Sequence, residues 1–270
     1  MPQITKITTQ KKHTDRYNIF IDYGKGEEYA FSVDEEVLLK FQLKKGKDID
    51  DFDLADIQYH DDIQKAFTLA LNFLSYRMRS EAEVRAYLKK KEIDGPIVQE
   101  AVHKLYQYKY LDDLEFAKAF VRTQMNSGQK GPVTVRMELK EKGIDDKKIE
   151  DALPLYTFEL QEEHARRLAE KSIAKEKNIS ERALKQKLEQ TLLRKGFSTD
   201  VIVEALLNVN LEKDSDEEWG SLCHQAEKAH RRLQKYTGFE YEQRMKQALF
   251  RKGFSIDSIE RYLSEYVDQA

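Results

Sequence analysis

Leu192-Leu-Arg-Lys-Gly196-Phe197 returns as Leu249-Phe-Arg-Lys-Gly253-Phe254 and is preceded by Leu139-Lys-Glu-Lys-Gly143-Ile144, the three glycines lying 53 and 57 residues apart. Each stretch reads as the end of a helix. Lysine in the last turn faces the negative end of the helix dipole, and glycine just beyond it takes the left-handed conformation at little cost. The leucine four places before the glycine and the Ile or Phe after it are the two positions that touch in a Schellman motif. A short polar residue follows each stop, Asp145, Ser198 or Ser255. It suits an N-cap, and apolar residues four and eight places later predict a second helix with Ile149 and Leu153, Ile202 and Leu206, or Ile259 and Leu263 on its inward face.

Moving this template back 51 residues lands on Leu88, Ile93, the cap Asp94, Val98 and Val102, a fourth copy with Glu92 where the others have glycine. A left-handed turn at Glu92 costs about 1 kcal/mol more than at glycine, so the link is expected to be remodelled with Gly95-Pro96. Upstream of each tail lies a helix start. Ser80-Glu-Ala-Glu83 and Thr237-Gly-Phe-Glu240 have the form of capping boxes, Gly131-Pro132 places proline in a first turn, and Ser180 offers a simple cap. The longer run from Ser180 to Leu192 and from Thr237 to Leu249 predicts one extra turn in the last two units. A further amphipathic helix precedes each start, carrying Phe67, Ala70, Leu71 and Leu74, then Phe116, Ala117, Phe120 and Val121, then Ala165, Leu168 and Ala169, then Trp219, Leu222, Ala226 and Leu233. Each unit is therefore three helices. None is self-sufficient in apolar surface, so tandem three-helix repeats are expected to stack into an extended, curved array.

The amino-terminal part differs. Tyr17 to Asp22 and Tyr29 to Val33, joined through Gly24-Lys25-Gly26, suggest a hairpin, with Ile4 to Thr9 as a third strand and Asp34 capping a short helix of Val37, Leu38 and Phe41. The expected organisation is mainly α: an acidic α+β appendage over 1–62, then helical repeats over 63–110, 111–158, 159–211 and 212–270. With 4 prolines in 270 residues and 35% charged side chains, a sandwich or a doubly wound sheet is disfavoured. The single cysteine, Cys223, can form neither an intrachain disulfide nor a cysteine-rich zinc site, and it points to a reducing compartment. No apolar run is long enough for a membrane span and no secretory leader begins the chain, so a cytoplasmic protein is expected.

Chemistry for catalysis is absent. Gly24-Lys25-Gly26 lacks the P-loop pattern and reads as a turn. The histidines His13, His60, His103, His164, His224 and His230 show no metal spacing, and the carboxylates sit at caps and on helix faces, Asp112 and Asp113 starting the second unit. No enzyme and no cofactor are expected. The net charge is −3 overall but −5 over 1–62, +3 over 63–158, +1 over 159–211 and −2 over 212–270. A basic middle is what a polyanion-facing surface needs, yet an excess of this size also arises from solvated helix faces of mixed sign. The candidate binding residues are Arg77, Arg79, Arg85, Lys89, Lys90 and Lys91 around the first capping box, and Arg122, Lys130, Arg136, Lys140 and Lys142 in the second unit; stacking would align the two groups. Gln124 to Pro132 forms a polar loop that is either a plain connector or a place of close backbone approach. Tyr106, Tyr108 and Tyr110, interleaved with Lys109, are candidates for base stacking. The spacing of Tyr106 and Tyr110 on one helix face instead predicts core packing for that pair.

Ser75-Tyr-Arg77-Met-Arg79-Ser80-Glu-Ala-Glu-Val84, then Leu105, then Tyr110-Leu111-Asp112-Asp113-Leu-Glu-Phe116-Ala117 and the tail from Leu139 to Ile144 resemble the central signature of the RecX family. With the later tails the resemblance covers roughly residues 64 to 268. It implies a non-catalytic regulator of recombination and DNA repair that binds the RecA filament on single-stranded DNA, lies along the filament groove, and modulates ATP hydrolysis, strand exchange and filament persistence; a monomer is expected. The family core is three such units, so four tails and an amino-terminal sheet imply a long form. Two other readings of the residues stand beside it: a helical-repeat scaffold for another protein, and a stand-alone DNA-binding protein.

Overall fold

The computed structural model describes residues 2–11, 14–211 and 214–266. Strands β1 (Gln3–Thr9), β2 (Arg16–Asp22) and β3 (Glu27–Asp34) form an antiparallel sheet in sequence order. Asp34 caps the short helix α1 (Glu35–Lys40), accepting a bond from the Glu36 N–H at 3.0 Å. Alternate strand residues Ile19, Ile21, Phe31 and Val33 point inward and close a core with Val37 and Ile57. Ile57 belongs to α2 (Asp51–Leu74), a helix begun by a capping box between Asp50 and Asp53. It runs straight through residues 62 and 63, where the appendage is expected to end. Asp61, buried on this helix, accepts from Arg16 at 2.8 Å, from the Asp34 N–H at 2.9 Å and from Lys65 at 2.9 Å. A buried carboxylate needs such partners, and these lock the sheet onto the first repeat.

Four three-helix repeats follow. The first is completed by α3 (Glu81–Lys90) and α4 (Gly95–Gln107); the second comprises α5 (Asp113–Ser127), α6 (Pro132–Glu141) and α7 (Asp146–Ala152). The third has α8 (Phe158–Ile173), α9 (Glu181–Arg194) and α10 (Thr199–Leu207), and the fourth α11 (Ser215–Leu233), α12 (Gly238–Phe250) and α13 (Ile256–Tyr266). At 14 and 13 residues against 10 and 10, α9 and α12 carry the extra turn that their cap-to-tail spacing predicts. Among the described residues no helix is long and apolar enough to cross a membrane.

All four tails turn left-handed, with φ of 61° at Glu92, 78° at Gly143, 88° at Gly196 and 91° at Gly253. The leucine before each is buried, and the N–H of Ile93, Phe197 and Phe254 returns to the carbonyl of Leu88, Leu192 and Leu249 at 3.4, 3.2 and 3.4 Å. Glu92 is thus not remodelled: Gly95 and Pro96 simply open α4. A second expectation fails at Thr237, whose side chain makes no capping bond.

The chain divides into two compact units, residues 1–117 with 140–148 and residues 118–139 with 149–270. Inside each, the glycine tail of one repeat seats on the start of the second helix of the repeat before it. In the first unit, Ser80 Oγ accepts from the Glu83 N–H at 3.2 Å and donates to the carbonyl of Lys142 at 2.7 Å, and a Cβ on Gly143 would fall 2.4 Å from that of Ala82. In the second unit, the Gly131 N–H donates to the Lys195 carbonyl at 2.7 Å, the Val133 N–H to the Gly196 carbonyl at 3.1 Å and Thr134 Oγ1 to the Lys195 carbonyl at 3.0 Å. A Cβ on Gly196 would lie 2.3 Å from Thr134 Oγ1. Ser180 Oγ likewise donates to the Lys252 carbonyl at 2.5 Å, and a Cβ on Gly253 would lie 2.6 Å from it. The unsatisfied carbonyls of one helix end thereby meet the donors and positive end of another helix start.

Candidate nucleic-acid interface

The basic residues around the first helix start are held by that start's own chemistry. Glu83, the third residue of α3, closes the capping box by accepting from the Ser80 N–H at 3.2 Å, and it also binds Arg77 at 2.9 and 3.3 Å and Lys142 at 3.3 Å. Partial burial opposes its charge, but the bonds from Arg77 and Ser80 and the nearby Lys142 hold the carboxyl below its ordinary range. Arg85 binds Glu81 at 2.6 Å and reaches Gln99 at 2.8 Å. Glu81, held low by Arg85 and Tyr106 against the effect of burial, accepts from the Tyr106 hydroxyl at 2.8 Å. Arg79 lies with its guanidinium carbon 4.1 Å from the centroid of the Phe73 ring, which stacks in turn on Tyr87 at 4.1 Å. Its Nε is buried and without a hydrogen-bond partner.

The second group is also engaged. Lys130 binds Glu138 at 2.5 Å, Arg136 approaches Glu150 at 3.7 Å, and Lys140 binds Asp146 at 2.8 Å. Lys89, Lys90 and Arg122 are exposed, and their side chains make no hydrogen bond or ion pair with the described residues. Lys91 leans over the Tyr87 ring, 5.8 Å from its centroid. Paired cations still contribute positive potential, whereas exposed, uncommitted ones can be surrendered to phosphate without breaking an internal bond.

The expected loop from Gln124 is shorter, because α5 continues to Ser127. Gly131 does approach a backbone closely, but that backbone is the Gly196 tail of this same chain. Of the three tyrosines, Tyr106 packs half-buried, while Tyr108 and Tyr110 are each 56% exposed. The core prediction is wrong for Tyr110: α4 stops at Gln107, and the left-handed turn at Lys109 (φ 59°) takes Tyr110 off the helix face. Tyr108 and Tyr110 form a tilted pair with ring centroids 6.4 Å apart. Sequence reasoning missed Tyr76 and Met78, exposed apolar side chains flanking Arg77 in the turn between α2 and α3. Their alternation with Arg77 and Arg79 was the available signal.

Among the described residues no three His, Cys, Asp or Glu side chains gather as a metal site, and His13 lies outside them. Burial raises the Cys223 thiol above its ordinary pKa, away from the reactive thiolate. His164 is buried with Nδ1 2.8 Å from the Tyr156 hydroxyl, its pKa lowered by burial, while burial pushes Tyr156 up to about 12.

Comparison with known proteins covers nearly the whole chain. Residues 2–50 match the Regulatory protein RecX N-terminal domain, 66–105 the first RecX three-helix domain and 112–153 the second. The third RecX three-helix domain matches twice, over 159–206 and 216–263. The regulatory protein RecX of Bacillus subtilis is 50% identical over 265 residues, 98% of this chain and 99% of that protein; that of Halalkalibacterium halodurans is 47% identical over 98% of this chain and 100% of its own length. A crystal structure of regulatory protein RecX aligns with a TM-score of 0.71 at 38% identity, covering 77% of this chain and all of its own. RecX from Lactobacillus salivarius aligns with a TM-score of 0.53 at 39% identity, over 57% of this chain and 99% of that one.

Proposed function

The chain belongs to the RecX family, and from that premise we propose that it regulates recombination and repair by binding the RecA filament on single-stranded DNA and modulating its ATP hydrolysis, strand exchange and persistence. The observation that carries this reading is the near full-length likeness to regulatory RecX proteins. The chemistry agrees with it: a helical scaffold offers exposed cations and aromatics. Within the candidate set the contacts with phosphate are assigned to Lys89, Lys90 and Arg122, which no internal bond holds. Arg77, Arg79, Arg85 and Lys140 in the first unit, and Lys130 and Arg136 in the second, each shape the potential around their own helix start. The protein acts as a monomer and without a cofactor, by occupancy rather than by chemistry.

The test is to titrate the protein into RecA filaments and follow ATP turnover and filament length, where both should change and unchanged values at saturation would refute the proposal. The joint variant K89A/K90A should bind with full helicity but a shallower salt dependence. Each lost phosphate contact to a single strand removes roughly 0.7 from the slope of log K against log salt. Arg77→Ala, by contrast, should cost stability before it costs binding, because it strips Glu83 of a partner.

A further inference from the structure

The four tails share a second feature besides their turn. The residue after each tail leucine is exposed in every repeat, and it is Lys89 and Lys140 in the first two but Leu193 and Phe250 in the last two, the latter pair 52% and 51% exposed. This position borders the groove between the second and third helices of its repeat. Lys140 shows as much by reaching Asp146 at the start of α7, and Arg85 with Gln99, Arg136 with Glu150 and Lys246 with Glu260 span the same groove one turn away. The third helix changes in step in repeat 3. Gln99 and His103 in repeat 1, and Glu150 and Pro154 in repeat 2, give way to Val203 and Leu207 in repeat 3, both exposed; repeat 4 keeps the polar Glu260 and Ser264 at those two places but presents exposed Ile256 where repeat 1 has Gly95. In repeat 4 this is a groove of about 240 Å³ whose apolar lining is Phe250, Ile256 and Ile259, bordered by Gln243, Gln247 and the Lys246–Glu260 pair.

Charge decides which class of molecule fits it. The one cation on the repeat 4 groove, Lys246, is neutralised by Glu260 at 3.0 Å, and the matching place in repeat 3 is an acid, Glu189. Residues 212–270 are net negative. Repeat 3 is net +1 and exposed Arg194 and Arg251 follow Leu193 and Phe250, so cations stand at the rim, but in the repeat 4 groove itself the one lining cation is already paired. Apolar side chains of a protein complement such a trough better than a phosphate backbone does. We propose that the grooves of repeats 3 and 4, through Leu193, Val203, Leu207, Phe250 and Ile256, hold apolar side chains of the filament's recombinase subunits, while the equivalent position in repeat 1, Lys89, faces the nucleic acid. The partner's identity rests on the function proposed above; the assignment of protein-facing and nucleic-acid-facing repeats does not follow from that function and stands on these side chains.

The experiment uses the full chain with Leu193→Lys and Phe250→Lys together, substitutions the fold accommodates because Lys89 and Lys140 occupy the same place, and a second variant with Leu207→Ser and Ile256→Ser. Binding to RecA filaments and to a labelled oligothymidine strand without recombinase are measured in parallel, with thermal midpoint and mass in solution as controls. Filament affinity should fall at least tenfold in both variants, with oligonucleotide affinity in the Ser variant unchanged and that in the Lys variant unchanged or higher. Wild-type filament affinity in both variants overturns the inference and leaves the function standing. Equal loss of oligonucleotide binding overturns it as well, because the groove would then hold the strand. A wild-type dimer that the substitutions dissociate assigns the groove to a second copy of the chain. Failure of the wild type itself to bind filaments is the separate result that removes the proposed function and the recombinase with it.

Discussion

Repeats 1 and 2 end their second helices in the same left-handed turn with different residues, Glu92 at φ 61° and Gly143 at φ 78°. The turn alone therefore does not require glycine. What separates the two is their surroundings: the Gly143 tail sits against Ala82 and under Ser80, while Glu92 is exposed at the head of the repeat series, with no earlier repeat to seat against. Glycine at the later tails serves two needs, a backbone twist worth about 1 kcal/mol and a contact that leaves no room for a methyl group, and the second is the larger.

Gly196→Ala breaks the pattern where the approach is tightest. It drives a Cβ into Thr134 and the backbone of α6 and should cost about 3 kcal/mol, read as a lower denaturant midpoint of the full chain. Ser180→Ala removes a cap and strands the Lys252 carbonyl, for an expected loss of about 1.5 kcal/mol by the same measurement. Glu92→Gly should do the reverse of the first change, gaining up to roughly 0.5 kcal/mol because only the twist is at stake; a loss there would mean that Glu92 makes a contact that matters. A smaller effect distinguishes the seat of the third repeat, where a Cβ on Gly128 would fall 2.9 Å from the ring of buried His164. Burial lowers its pKa from the ordinary 6.5, with Glu163 and Arg167 nearby pulling in opposite directions. The unfolded chain therefore takes up a proton below pH 6.5 that the folded one refuses. Stability should be intact above that pH and decline as pH falls through the window beneath it. His164→Asn should flatten this decline in a pH series of denaturation curves.

The helices, their order and their stops were legible because they are written in local spacing: a leucine, a lysine and a glycine within six residues, and apolar residues at helical period. The seats between repeats were not, because Ser80 and Lys142 are 62 residues apart and Ser180 and Lys252 are 72 apart, beyond the reach of periodicity. The same limit governs the binding surface. Arg77 and Arg79 look alike in sequence as solvent cations, yet one is held by Glu83 and the other by Phe73. Only the capping-box pattern around Glu83 hinted that a carboxylate would be waiting there. Thr237 shows the converse case, a correct motif whose hydroxyl makes no bond to its helix. Tyr110 was misplaced by a single left-handed residue, Lys109, which no pattern of apolar spacing announces.

The seating of each tail on the repeat before it also sets a timetable for synthesis. A ribosome adding roughly 5–20 residues per second delivers Lys142 about 3–12 seconds after Ser80, and Lys252 about 4–14 seconds after Ser180. Until then the hydroxyls of Ser80 and Ser180, which begin the second helices of repeats 1 and 3, have only water as acceptor in place of those carbonyls. The nascent chain therefore matures one repeat behind its own elongation, each new tail completing the helix start that emerged before it.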